Sequence, residues 1–521
     1  MGCCSGCWIT FQPSPATPPP PSKESERVRA LAAEAALQGA NLCLFGVSDI
    51  DFDAQTVQYT RLTPTGGAGW RGPLPDAVLG HVPLPDELDG TPAARLATLA
   101  PVLSQPLPDR LAVAAALQQS ELVPHVIPFR QVEAEKADEA IGSFLDTHQR
   151  AVLKPAREKT GTRAAFIAVD GADLVVRQLD RHWRKPRASA LAELTALIGP
   201  DPWIIQKMIV SRVDDGRTFD VRCHTHRDGN GDWNRVRSPI GLSDAGMLFS
   251  NSSRGGYQGG LDKALARLTK DSAALADRVR NLGLLASEAL DVHYGGQLFE
   301  LEVVILIDPQ LQPWIAGVTS NPMTPFHEFE RAQLHIAYAL HRARPVQVGS
   351  APRRVVACTN PQGHAMTAPI LLGLFHGAAS RATAIKSRRV RAIAGEALLQ
   401  GADFGLFGAA DIDFDAGTVD YLRLTGGDLV EWRGPMPDVV LQGETVPSYD
   451  GCPTAARLRT LAPFVSWLLP HKSEVSAALR TTDLAPHVIP YCEVVTPGAE
   501  AVIASFLDQH RRADLKPGCE H

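Results

Sequence analysis

Asp220, Arg222, His224 and His226 occupy alternate positions in the run Phe219-Asp-Val-Arg-Cys-His-Thr-His226. Side chains alternate across a strand, so these four would share one face while Phe219, Val221 and Cys223 take the other. An acid, a guanidinium and two imidazoles on one wall of a sheet suit a phosphate-bearing ligand. A solvated sheet face is the plainer reading of the same pattern. The His224-x-His226 pair could also hold a metal ion, but no third Cys, His or carboxylate ligand is evident near it in the sequence. Two further stretches carry related chemistry. Lys154 ends a short apolar strand, residues 151–154, and a polar loop with one glycine, Gly161, follows at 157–163. A point charge beside mobile backbone amides is what a triphosphate cover needs. Trp203-Ile-Ile-Gln206-Lys207-Met208 reads as an apolar strand with a polar end, able to offer backbone groups to a purine edge. The phosphate loop Gly-x-x-x-x-Gly-Lys-Ser/Thr is absent from the chain.

These residues need elements to hold them. Residues 219–226 and 232–237, separated by Arg-Asp-Gly-Asn-Gly, predict a β-hairpin. Helices are expected at 108–120, 135–149 and 261–290, and strands at 297–308 and 313–319 with a turn at Pro309. Ahead of them lie an Ala/Leu-rich helix over 28–38 ended by Gly39, a strand at 42–47 and a strand and turn over 50–62. A glycine-rich loop at 66–69 and a strand at 75–79 come next. This alternation suggests an open α/β domain. Residues 1–24 are expected to be a disordered, Pro-rich tail, with a remnant strand near Trp8.

At 521 residues the chain should hold three or four domains, and its 45% apolar content allows ordinary cores. A net charge of −6 argues against a nucleic-acid partner. No apolar run reaches the ~18 residues of a membrane span, so no membrane partner is expected. The nine cysteines lack a framework spacing, as in a reducing cytosol. Most distinctively, residues 25–155 recur as 387–517: Asp49-Ile-Asp-Phe-Asp53 returns as Asp411-Ile-Asp-Phe-Asp415, and Pro124-His-Val-Ile-Pro128 as Pro486-His-Val-Ile-Pro490. A period this long is a duplicated domain. The sequence ends at His521, soon after the second Leu-Lys-Pro.

In order, Val152-Leu-Lys154-Pro155, Ile204-Ile-Gln206, Arg217-x-Phe219-Asp220-x-Arg222, Ser250-Asn251-x-x-Arg254-Gly-Gly256 and the closing Trp314 to Pro322 resemble the ATP-grasp superfamily, and within it the YheC/YheD family of endospore-coat-associated proteins. The resemblance covers most of 25–345 and again 366–517. It implies an α/β fold with α+β lobes, an ATP-grasp domain preceded by a Rossmann-like pre-ATP-grasp domain that is duplicated. The expected division is a tail at 1–24, a leading domain at 25–107, the ATP-grasp domain at 108–345 and a linker at 346–365. A second leading domain at 366–469 and a truncated second ATP-grasp start at 470–521 complete it.

The resemblance further implies ATP as ligand and Mg²⁺ as its usual companion, with an acyl phosphate as the ancestral intermediate. It assigns Lys154 to the α/β-phosphates, Gln206 and Lys207 to the adenine strand, and Arg222 to the transferring phosphoryl. Arg163, Asp220, Asn251 and Arg254 would line the same pocket. Family members resemble Glu-x-Gly-x-Asp-x-Gly-x-Asp on the first closing strand and Ile-Glu-x-Asn-Ser-x-Pro on the second. Here Val304, Gly317 and Thr319 stand where aspartate, glutamate and asparagine are expected. Glu300 and Glu302 remain as weak candidate ligands, and phosphoryl transfer, which leans on metal charge, is doubtful. The alternative expectation is a non-catalytic structural or interaction protein. Spore-coat proteins are implied partners, and the expected location is the cytoplasm with coat association.

Overall fold

The computed structural model describes residues 6–10, 23–46, 49–63, 66–80, 95–96, 98–103, 107–157, 163–179, 181–199, 201–244, 257–320, 322, 324, 327–343, 371–375, 388–425, 428–442, 453–465 and 499–510. The chain divides into two compact units, 1–359 and 360–521. No helix among the described residues is long and apolar enough to cross a membrane.

The first unit holds three sheets. The leading one runs Ile50–Asp51, Thr56–Thr63, Asn41–Phe45, Gly6–Thr10, Ala77–Gly80, Val102–Leu103, with Gly66–Pro73 hairpinned onto Thr56–Thr63. Two sequence expectations are corrected here. Gly6–Thr10, where a remnant strand near Trp8 was expected within a disordered tail, pairs in parallel with both Asn41–Phe45 and Ala77–Gly80 and so lies inside the sheet. The glycine-rich run 66–69, expected to be a loop, pairs through its whole length with Thr56–Thr63. The stack of Trp70 on Tyr59, centroids 5.5 Å apart, contributes to fixing that hairpin.

The second sheet is wholly antiparallel, in the order His182–Pro186, Asp173–Arg177, Ala165–Asp170, Arg150–Pro155, Trp203–Lys207, Phe129–Val132. Helices Ala137–His148 and Arg187–Ala196 cover one face, closing a core around Ile141, Leu145, Leu153, Ile167 and Trp203. The other face carries Lys154, because Leu153 and Pro155 on either side point into that core.

The third sheet runs Tyr257–Gly260, Pro239–Leu242, Phe219–Arg227, Glu300–Ile307, Pro313–Ser320, with Trp233–Arg237 added beside Phe219–Arg227. The predicted hairpin is present, with a bulge between His224 and Thr225. Phe219, Val221 and Cys223 face the 22-residue helix Ser272–His293. That helix comes close because Gly283 lacks a side chain: a Cβ there would stand 2.4 Å from Cys223 Cβ. The single helix expected over 261–290 is two, Leu261–Leu265 and Ser272–His293, since backbone amides of 266–269 close turns between them.

Helix Glu328–Ala343 follows the third sheet and ties it to the leading one. It packs on helix Lys23–Leu37, where buried Arg27 pairs with Glu328 at 2.8 Å and donates to Pro322 O and Thr324 Oγ1.

In the second unit, one sheet runs Ile412–Asp413, Thr418–Thr425, Asp403–Phe407, Leu371–Phe375, Val439–Gln442, Phe464–Val465, with Asp428–Pro435 on Thr418–Thr425. The strand order matches that of the leading sheet of the first unit, and Trp432 stacks on Tyr421 as Trp70 does on Tyr59. The linker expected at 346–365 lies outside the described residues. Of 470–521, only the helix Ala499–His510 is described.

Candidate functional site

A cavity of about 420 Å³ opens between the second and third sheets of the first unit. One wall comes from Arg150–Pro155, Ala165–Asp170 and the segment 206–212; the other comes from Phe219–Arg227, Glu300–Ile307 and Pro313–Ser320. Lys154, Gln206, Lys207, Asp220 and Arg222, far apart in sequence, all line it. Arg110 and Arg212, which the sequence did not single out, line it too. Arg110 stands in the first turn of a helix capped by Asp109, whose carboxylate accepts from Leu111 N and Ala112 N. Its backbone amide donates to Ala156 O, which fixes the helix start beside the end of the Lys154 strand. Arg163 does not reach the lining; it is exposed, with its guanidinium 5.8 Å from the Trp203 ring. Asn251, Arg254 and most of the loop at 157–163 lie outside the described residues.

The charge balance of the lining is one-sided. Arg110, Lys154, Lys207, Arg212 and Arg222 supply five cations against one carboxylate, Asp220, which itself accepts from Arg222 Nε at 3.1 Å. Burial, together with the charge of Arg110, pulls the Lys154 ammonium down to about 7. A ligand placing negative charge here would restore its proton affinity.

The corner where the resemblance places metal ligands carries no carboxylate of its own among the described residues. Val304 pairs with both Arg222 and Gly317 across neighbouring strands, so these three positions share one patch of the face. Val304, Leu306, Gly317 and Thr319 line the cavity there, and a Cβ on Gly317 would meet nothing within 4 Å. Room for a ligating side chain exists, and of these four side chains only the Thr319 hydroxyl offers an oxygen, where Mg²⁺ favours a near-octahedral set of them. Glu302 sits opposite His224, one step along the face from Val304, about 6–7 Å by strand rise. Burial pushes its carboxyl up to about 7; Arg222 pulls the other way, and Asp220 and Glu300 add to the push.

Glu300 is farther still, in a closed cluster with no signature in the local sequence. His224 and His226 were expected on the ligand wall with Asp220 and Arg222; the structure buries both against helix Glu328–Ala343. Arg331 of that helix grips Glu300 through Nε at 2.5 Å and Nη2 at 2.7 Å, and His224 Nε2 donates to the same carboxylate at 3.0 Å. Burial opposes ionisation of Glu300, and the Arg331 charge with the His224 hydrogen bond overrides it, holding the carboxyl well below its usual range. The other nitrogen of His224, Nδ1, lies 2.9 Å from His327 Nε2. His226 donates from Nδ1 to Arg227 O at 2.6 Å, leaving Nε2 to accept from His335 Nδ1 at 3.3 Å. Burial draws His226 down to about 4, so it is neutral near pH 7.

His226, Glu300 and His335 bring three ligand atoms within 4.8 Å of one another. Charge decides against a cation there. The Glu300 carboxylate is already matched by Arg331, so a dication would leave two uncompensated charges in a dry core, at several kcal/mol per ion. The cluster is a hydrogen-bonded strut. Its partners on the helix lie a hundred residues beyond the histidines, which is why local spacing could not announce it.

A family model described as YheC/D like ATP-grasp matches residues 100–347. Endospore coat-associated protein YheD of Bacillus subtilis (strain 168) is 25% identical over 243 residues, 45% of this chain and 50% of that protein. The chain thus spans about half the length of this curated relative. Among solved structures, D-cycloserine synthetase DcsG is 15% identical, covering 65% of this chain and 100% of its own, with a TM-score of 0.39. The VanG D-Ala:D-Ser ligase from Enterococcus faecalis is 11% identical, with 65% and 98% covered and a TM-score of 0.39.

Proposed function

We propose that this chain, whose residues 100–347 match the YheC/D-like ATP-grasp family model, binds ATP in the cleft between its second and third sheets without passing the terminal phosphate to a carboxylate. The observation that carries the reading is the composition of one cavity: five cations and Gln206 on the walls, with Val304, Gly317 and Thr319 at the corner where acids and an amide are expected. Lys154 and Arg222 sit on opposing walls of it, as a clamp on phosphates needs. Gln206 and Lys207 end the strand that faces a purine. Transfer to a carboxylate requires a divalent ion to bridge the phosphates and gather developing charge, and a corner with no carboxylate of its own cannot hold one in place. A thermal-shift titration tests the binding half. ATP at millimolar concentration should raise the melting temperature by mass action, and an unchanged melting temperature would remove the nucleotide from the reading.

In that event the second reading stands: a structural or interaction protein of the spore coat. It is supported by the same three replaced positions and by the coat association in the name of the Bacillus subtilis relative. The buried struts Arg27–Glu328 and Arg331–Glu300 stiffen the unit whether or not it binds a ligand.

A further inference from the structure

We infer that the cleft takes the polyphosphate of its nucleotide as the metal-free anion, Arg222, Lys154, Arg110 and Arg212 supplying from the walls the positive charge that a divalent ion supplies elsewhere in the fold. This rests on the nucleotide reading above and adds to it a sign: Mg²⁺ opposes binding.

Three observations lead there. The first is the balance of the lining, in which cations outnumber carboxylates and the one carboxylate, Asp220, is held by Arg222. The second is where the remaining acids went. Glu300 is closed under Arg331 and His224, and Glu302 stands opposite His224, one step along the face from Val304, so neither lines the cavity at the corner beside Arg222. The third is the state of Lys154. Among the described residues no hydrogen bond or ion pair reaches its ammonium, although Arg110, Lys207 and Arg222 share the cavity with it. A lining in which five cations stand with one carboxylate is poised for an external anion. Free ATP near neutral pH brings about four negative charges; complexed with Mg²⁺ it brings two fewer and a hydration shell that this corner has only the Thr319 hydroxyl to replace.

The test is a calorimetric titration of ATP into the full chain at constant ionic strength, once with EDTA and once with Mg²⁺ in excess of nucleotide. The expected result is saturable binding of one ATP per chain in EDTA, weakened roughly tenfold by Mg²⁺ through loss of charge-assisted contacts. Tighter binding with Mg²⁺ would overturn the inference and leave the nucleotide reading intact. Absence of binding under both conditions would overturn both. A second arm restores the oxygen donors with Val304→Asp, Gly317→Glu and Thr319→Asn together. The side chain at 317 has space, and the Mg²⁺ effect should change sign, ATP then binding more tightly with the ion than without it. A variant that folds and still binds ATP more weakly with Mg²⁺ would show that the missing donors are not the reason. Should it fail to fold, the two titrations of the unsubstituted chain decide the matter alone.

Discussion

Strands Phe219–Arg227 and Glu300–Ile307 carry two regions of opposite design on one continuous face. At one end Asp220, Arg222 and Val304 border an open cavity; at the other, His224, His226 and Glu300 are sealed under helix Glu328–Ala343. The alternation of side chains is the same throughout, so the difference comes from what covers each end. Under the helix the two buried arginines each have a carboxylate counterpart, Arg331 with Glu300 and Arg27 with Glu328. Among the residues that line the cavity, five cations stand with one carboxylate. A sealed region must be neutral to be stable, whereas an open one can be left for a ligand to neutralise.

Removing a partner at the sealed end should have the largest effect. Glu300→Gln leaves Arg331 buried without its counter-charge and is expected to lower unfolding free energy by about 3–5 kcal/mol in urea titrations. The paired change Glu300→Leu with Arg331→Met removes both charges and should recover more than half of that loss. If the single and paired variants unfold alike, the strut is not electrostatic. At the open end the pattern should invert. Arg222→Met is expected to weaken ATP binding by roughly 10–100-fold, the loss of one charge-assisted contact, with stability changed by less than about 1 kcal/mol. A variant that binds normally but unfolds early would place Arg222 among the struts.

Titration sharpens the contrast further. The Lys154 ammonium in the free protein titrates near 7, below its unfolded value, and phosphate favours the charged form. Affinity for ATP should therefore fall severalfold as pH rises from 7.5 to 9, where the nucleotide's own charge is constant. Lys154→Met should bind more weakly and flatten that profile. The smallest effect belongs to the boundary between the regions. The Glu302 carboxyl is raised to about 7 when folded, so its penalty is absent below the unfolded value and complete above pH 7. Glu302→Gln should stabilise the chain by on the order of 1 kcal/mol at pH 8 and by nothing measurable at pH 4.5. An equal gain at both pH values would show that burial of charge is not what sets this site.

The sequence carried the open end better than the sealed one. Alternation alone put Asp220 and Arg222 on one face, and Lys154 and Gln206 were visible as polar residues within apolar strands. His224 and His226 obey the same alternation, so nothing local distinguished them from ligand residues; the helix that covers them lies a hundred positions downstream. Arg331 and His335 are one turn apart on that helix, a spacing that in hindsight marks a polar stripe aimed at a sheet. Gly66–Gly69 misled because glycine favours loops, and here cross-strand pairing with Thr56–Thr63 outweighed that preference. The break at 266–271 lacks Gly and Pro altogether, and tertiary packing ended the helix where composition did not.

The most direct test of a cleft that holds ATP without using it is the fate of the bound nucleotide. Stoichiometric protein and ATP, incubated with Mg²⁺ and a panel of carboxylates and amines, would be quenched in acid and the nucleotides separated by chromatography. The expected result is recovery of ATP unchanged at a level matched by the Arg222→Met variant. Release of ADP by the unsubstituted chain in excess of that variant would contradict it.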